Sequence, residues 1–395
     1  MSKSRKFLVS IVIIVAAAWV FWPERWVAKG PLIAFITGEQ IEAPKDDVLN
    51  QTFSLPEGFT ISKFADVPGA RLAVLTSTGD ILVSATYDDT IYLLTPDADG
   101  DGVSDGQHVL LSGLNDPHGM ALAGGYLYVA EVSRVLRYGF DAEARTITSD
   151  SEVIYGDLPP GGNHFKRTIS FGPDGRLYLT IGSTCNVCDE SDPRSAAMMV
   201  MNADGGDARI FATGLRNTVD FTWYEPSGAL YGTDNARDLL GDGIPQDELN
   251  LIVDGGFYGW PIAYDNRVFD DYTDDTPALR AKAAASTVMA HGFGAHRAPL
   301  GIGFVRGEKL PEEYKNSMMA GLHGSWNSSV LVGYKVVSLH LDEDGSITEK
   351  DFMTGFLTPD EDVLGRPVDV LEGADGALYI TDDYAGVVYR VNYNP

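Results

Sequence analysis

The sequence predicts an all-β protein folded as a six-bladed β-propeller, and three observations carry that prediction. A glycine-containing turn followed by an apolar pair and a short strand occurs in six copies along the chain. Most copies stand 46 to 60 residues apart, the span of one multi-stranded blade. Within each copy the apolar residues alternate with period two, which suits a strand and not the helix pairs of a solenoid. The 43 glycines and 20 prolines are spread along all 395 residues, as many short strands joined by tight turns require. A hydrophobic content of 44% is enough for a large core. A different blade number is the nearest alternative, with a β-sandwich behind it.

The copies run in order as TGDILVSA (Ile81, Leu82), GGYLYVAE (Leu127, Tyr128), DGRLYLTI (Leu177, Tyr178), SGALYGTD (Leu230, Tyr231), a weaker NSMMAGLHG (Met318, Met319) and DGALYITD (Leu378, Tyr379). The interval between Tyr231 and Met319 is longer than the rest and implies an insertion near residues 241–299. The chain divides into a signal or anchor segment (1–29), a linker (30–52) and the propeller (53–395).

Ahead of the repeats, Lys3, Arg5 and Lys6 precede a nearly all-apolar run over residues 7–22. A basic start followed by an apolar segment directs export, so the bulk of the chain is expected outside the cytoplasm, in the periplasm. As a helix the run would reach roughly 24 Å, a little short of a bilayer. Trp19, Trp22 and Trp26 suit an interfacial belt, and the segment reads as an uncleaved inner-membrane anchor in preference to a removed signal. The net charge of −27 excludes nucleic acid as a partner, because an acidic surface repels phosphate.

The stretch with most chemistry is residues 161–188, GGNHFKRTISFGPDGRLYLTIGSTCNVC. His164 stands just before a strand at 168–171, a Gly-Pro-Asp-Gly turn follows, and a second strand is expected at 176–181. On position alone His164 reads as a loop histidine making ordinary hydrogen bonds; held at the mouth of a β-hairpin, it can instead serve as a base above the central channel. Cys185 and Cys188, the only cysteines, have no histidine after them and cannot form a four-cysteine zinc site. In an oxidising compartment they read as a small disulfide, with a redox-active pair as the alternative. Residues 97–105, DADGDGVSD, place Asp97, Asp99, Asp101 and Asp105 where oxygen ligands could wrap one hard cation, as in an EF-hand-type loop without its closing glutamate. Structural calcium is expected there, with an acidic hairpin turn as the plainer reading. Arg216 and Asn217 stand at a strand start in the blade after His164, and a planar guanidinium suits a carboxylate or a quinone oxygen. His118 and His323 lie at further blade edges, which in a propeller share one face.

Together GLNDPHGMAL, GGNHFKR with FGPDGRLYLTIGSTCNVC, GLRN, DELNLIVDGGFYGWP, AHRAPLGIGF, GLHGSWN and GRPVDV make the chain resemble the soluble quinoprotein glucose dehydrogenase and L-sorbosone dehydrogenase family over about residues 53–393, most closely its sorbosone branch. The resemblance implies a six-bladed propeller that holds pyrroloquinoline quinone (PQQ) and calcium at the channel mouth and oxidises a sugar or sugar-derived aldehyde, passing electrons to a quinone or cytochrome. It places the base on His164, cofactor contacts on Arg216, Asn217 and Arg366, and main-chain calcium ligands near Asn235 and Ala236. A second calcium site falls near Glu248 and Tyr258, the sugar-contacting glutamine near Pro117 and His118, and the cofactor lysine near Lys335. The chain departs from the family at Asn163 (aspartate in the glucose enzymes), Ala236-Arg237 (glycine-proline) and Val368 (arginine). Rival readings are a calcium-dependent propeller lactonase or esterase and a non-catalytic binding propeller.

Overall fold

The structure, a computed structural model, describes residues 41–395. Among the described residues the long strands sort into six antiparallel sheets whose innermost strands meet in a closed ring, which is a six-bladed propeller. Blades one to five occupy residues 70–112, 120–155, 167–213, 218–294 and 299–353. The sixth combines Pro367–Glu372, Leu378–Asp382 and Val387–Tyr393 with the first strand of the chain, Phe59–Asp66. That pairing, from Phe59 opposite Tyr393 to Asp66 opposite Val387, closes the ring.

Every copy of the sequence repeat falls on the second strand of a blade: Ile81–Ala85, Tyr126–Ala130, Leu177–Ile181, Ala229–Asp234, Ser317–Leu322 and Leu378–Asp382. These strands are buried almost throughout, since both faces of a blade pack against its neighbours, and so each reads as an apolar run. The insertion falls in blade four, between Asp247–Leu251 and His291–Gly294. It holds a small hairpin and the helix Pro277–Ala284, which starts where the Thr276 hydroxyl accepts from Leu279 N (3.2 Å) and proline takes the first turn.

The end of the stretch read as a linker is packed. Leu49 is fully buried in the cluster with Phe53, Phe356 and Tyr389, and the Asn50 amide exchanges two hydrogen bonds with the Ile61 backbone. Periodicity could not show this, because the contacts come from single residues meeting a distant blade. The proposed anchor at 7–22 lies outside the described residues. Among those described, no helix is long and apolar enough to cross a membrane.

Antiparallel order fixes which loops share a face. The links between blades and the links between second and third strands open on one face; the remaining links open on the other. His118, His164, Cys185, Arg216, Asn235, His323 and Arg366 therefore belong to loops of one face. The Gly-Pro-Asp-Gly turn (172–175) and the acidic loop (97–105) belong to the opposite one.

Candidate active site

His164 is positioned by the loop that follows the second strand of its blade. Its Nδ1 lies 2.9 Å from Ser183 O and 2.8 Å from Ser183 Oγ. A carbonyl oxygen only accepts, so Nδ1 carries the proton. The Ser183 hydroxyl is itself committed as a donor to Cys185 O (2.7 Å), and it too offers Nδ1 a lone pair. Nε2 is left unprotonated, the form a base needs. Burial, followed by the charge of Arg216, pushes the imidazole down to about 3, so it stays neutral across the ordinary pH range. Asn163, an aspartate in the glucose enzymes, is exposed and donates its backbone N–H to Thr184 O (3.0 Å); orientation of the ring comes from Ser183 instead.

Arg216 is buried and ties two loops together. Nε donates to Asn186 O (2.9 Å), Nη1 to Asn235 O (2.9 Å), and Nη2 to Asn186 Oδ1 (2.8 Å) and Asp238 Oδ2 (3.1 Å). A guanidinium has five N–H groups, so one Nη1 hydrogen remains for a ligand. Asn217 donates its N–H to Asp234 Oδ1 (3.0 Å). His164 and the Arg216-Asn217 pair meet across Gly182: a Cβ there would lie 2.6 Å from His164 Cβ and 2.9 Å from Asn217 Oδ1. Asn235 and Ala236 follow directly, with the Ala236 N–H held by Asp247 Oδ1 at 2.9 Å.

A second group spans blades five, six and one. His323 Nε2 donates to Asp383 Oδ1 (2.7 Å), and Arg71 Nη1 reaches Asp383 Oδ2 (2.6 Å). Burial would raise the Asp383 carboxyl, but His323, Arg71 and Arg366 outweigh it and hold the group ionised. Burial and the charge of Arg366 push His323 down to about 3. Arg366 donates to His323 O (2.9 Å) and Gly324 O (2.7 Å). His118 is fully buried, and its Nδ1 lies 3.2 Å from Thr168 Oγ1, whose hydrogen goes to Val219 O. Nδ1 is therefore the donor, and Nε2 is buried without a partner, as is Arg71 Nε.

The Lys335 ammonium faces Asp351 and Glu349 of the outermost strand of its own blade. Glu248 and Tyr258 line a small cavity beside Arg216, where Arg237, paired with Asp270, already supplies a cation. The Tyr258 hydroxyl is spent on Leu251 O (2.6 Å). On the opposite face Asp97, Asp99 and Asp105 bring carboxylate oxygens within 4.8 Å of one another, while Asp101 turns to Val103 N (2.8 Å). The cysteines form a Cys185–Cys188 disulfide.

Two further cations stand at the mouth, Lys166 inside the GGNHFKR string and Arg71 outside every motif. Lys166 donates to Tyr87 OH (3.0 Å), and its charge, like that of Arg71, acts on His118. Its signal in the sequence is its place in that string, two residues after His164. Arg71 is visible only once the ring closes. Val368, where the glucose enzymes have an arginine, is fully buried against Val219 and Leu300.

Residues 128–390 match the family described as glucose/sorbosone dehydrogenase. An uncharacterized protein of Borreliella burgdorferi is 32% identical over 295 residues, covering 71% of this chain and 76% of that protein. The aldose sugar dehydrogenase YliI of Escherichia coli (strain K12) is 24% identical over 276 residues, 65% of this chain and 67% of its own. Among solved structures, the PQQ domain of Coprinopsis cinerea pyranose dehydrogenase in its holo form superposes with a TM-score of 0.72 at 20% identity, covering 90% of this chain and 98% of that one. The apo form of the soluble aldose sugar dehydrogenase of Escherichia coli gives 0.65 at 18% identity, over 85% and 99%. With its ring of six blades, and with the matched region running from the second blade to the last strand, this chain belongs to the glucose/sorbosone dehydrogenase family.

Proposed function

We propose that the protein is a PQQ- and calcium-dependent dehydrogenase that oxidises a sugar or a sugar-derived aldehyde, with His164 as general base. The observation that carries this reading is the fixed Nδ1–H tautomer of His164, which presents a bare Nε2 beside a cationic mouth. The residues present suit the cofactor. In a chain of net charge −27, Arg71, Lys166, Arg216 and Arg366 gather on one face, and Arg71 Nε is a buried donor without a partner. Such a site attracts a flat anion, and PQQ carries three carboxylates. Arg216, Asn217 and Arg366 would hold it, and calcium would sit by the main chain near Asn235 and Ala236, where the Asn235 carbonyl already accepts Arg216 Nη1.

When bound, the quinone and its calcium supply the two-electron acceptor for hydride from the sugar carbon. The protein does the rest. His164 Nε2 takes the proton of the substrate hydroxyl, Ser183 keeps the ring in register, and Arg216 steadies negative charge as it develops. Electrons would pass on to a quinone or cytochrome, and residues 7–22 would hold the protein at the periplasmic side of the membrane.

The deciding experiment is a panel of sugars and sugar aldehydes assayed by dye reduction on purified protein. Dehydrogenase activity that requires both PQQ and calcium supports the reading. Ester or lactone hydrolysis with the metal alone would replace it with a hydrolase. Gly182→Ala should lower kcat by at least about tenfold, because the methyl group must push His164 and Asn217 apart; steady-state kinetics check it.

The acidic loop is proposed to bind a second, structural calcium. Ser104 N donates to Phe64 O (2.9 Å) and Ser62 Oγ to Gly102 O (2.8 Å), so this loop grips the strand that closes the ring. Calcium at a hundred times its dissociation constant should stabilise the fold by about 2.7 kcal/mol. Thermal unfolding with calcium or with chelator measures this, and Asp99→Asn should remove the difference.

A further inference from the structure

We propose that the short loop closed by the Cys185–Cys188 disulfide is the positioning element of the site, holding the His164 imidazole and the Arg216 guanidinium in one frame through Ser183 and Asn186. This rests on the reading of His164 as base.

The loop touches both groups at once. Ser183 receives the imidazole through its carbonyl and hydroxyl oxygens (2.9 and 2.8 Å), and the same hydroxyl is aimed by its bond to Cys185 O. One residue beyond that cysteine, Asn186 takes two donors of Arg216, Nε on its carbonyl and Nη2 on Oδ1. Asn186 also grips the next blade, accepting Asp238 N on Oδ1 (2.8 Å) and donating Nδ2 to Asp238 O (3.1 Å). Its carbonyl further accepts Trp260 Nε1 (3.2 Å). Glu190 finishes the loop, accepting Thr184 N (2.6 Å) and Thr184 Oγ1 (2.8 Å). Within these few residues there is no regular secondary structure to keep Ser183 and Asn186 at a fixed separation. Ser183 N donates to Arg216 O (2.8 Å) at one end of the span, and the covalent bond from Cys185 to Cys188 braces the other, between the Cys185 carbonyl and Asn186.

A ring this short removes little freedom from the unfolded chain compared with a long-range crosslink, so its main effect lies in local geometry. Both cysteines are half-buried. With a dithiol, the S–S bond breaks, two S–H bonds form and the dithiol is oxidised to its own disulfide. The covalent brace between Asn186 and the Cys185 carbonyl, which aims the Ser183 hydroxyl, is then gone, and the base and the cation lose that part of their common support.

The test reads the imidazole directly. Long-range ¹H–¹⁵N correlation on the cofactor-free protein should show His164 as a single Nδ1–H tautomer when the disulfide is intact. After reduction with dithiothreitol, with two thiols confirmed by titration, it should show a mixture of tautomers. Turnover is measured without reductant on the Cys185→Ser/Cys188→Ser variant, for which kcat should fall at least tenfold with a smaller change in KM. Asn186→Ala should lower kcat similarly with the disulfide in place. An unchanged tautomer in the reduced protein overturns the proposal, even if the melting temperature drops, since that would leave the bond a purely structural role. A tautomer that follows the disulfide in a protein with no dehydrogenase activity upholds the positioning and sinks the assignment of the reaction.

Discussion

Replacing His164 by glutamine is expected to reduce kcat by about 10²- to 10⁴-fold, the usual worth of a positioned general base. The amide can still reach Ser183 but cannot take a proton, so titration with PQQ, followed by absorbance, should give a dissociation constant close to that of the parent. The pH profile adds an independent check. With the folded-state pKa at about 3 against an ordinary 6.5, the base stays neutral as the medium is acidified. The kcat/KM plateau should therefore continue below pH 6.5 on the acid side and fall only as pH approaches about 3. The same shift has a stability consequence whose sign is fixed. Between about 3 and 6.5 the unfolded chain binds a proton that the folded chain refuses, so the contribution is fully present above 6.5 and is lost as pH falls through that window. His164→Gln removes that proton and should unfold with a shallower acid dependence over the same range. A profile that breaks near 6.5 would mean that the ring is open to water and not held as described.

Arg216→Lys is the second large effect, and it should separate from the first by what it does to the cofactor. The charge survives, but a lysine ammonium cannot spread its donors over Asn186, Asn235 and Asp238 as the planar guanidinium does. Asn235 O left without its donor costs about 1–3 kcal/mol, whereas the Asn186 oxygens keep Trp260 Nε1 and Asp238 N and the Asp238 carboxylate is partly in water. A drop in kcat/KM of at least about a hundredfold is expected, with weaker PQQ affinity by calorimetry and a lower melting temperature. Normal PQQ affinity in this variant would argue that Arg216 serves only to hold the loops.

These two residues also show where sequence reading works in this fold and where it stops. His164 and Arg216 were legible because each sits in a motif string with the family's spacing. Their environments were not. The Ser183 contact lies 19 residues from His164 and the Asn186 contact 30 residues from Arg216, in a loop whose cysteines hinted at a clasp but not at its occupants. The family's cofactor lysine has no clear counterpart in the sequence; Lys335 lies close to its place, and its register turns it towards Asp351 and Glu349 on the outer strand. Arg71 had no signal at all, because its partner Asp383 lies 312 residues away.

What the sequence determined by itself is the blade and its repetition. A strand packed on both faces must be apolar, and a tight turn must carry glycine or proline, so both requirements are written locally and recur with each blade. What only the tertiary structure decided is the site. Pairing Phe59–Asp66 with Val387–Tyr393 shuts the ring and brings the start of the chain beside its end. Which charges then face one another across the mouth depends on the through-space meeting of loops from different blades, and no local pattern encodes that distance.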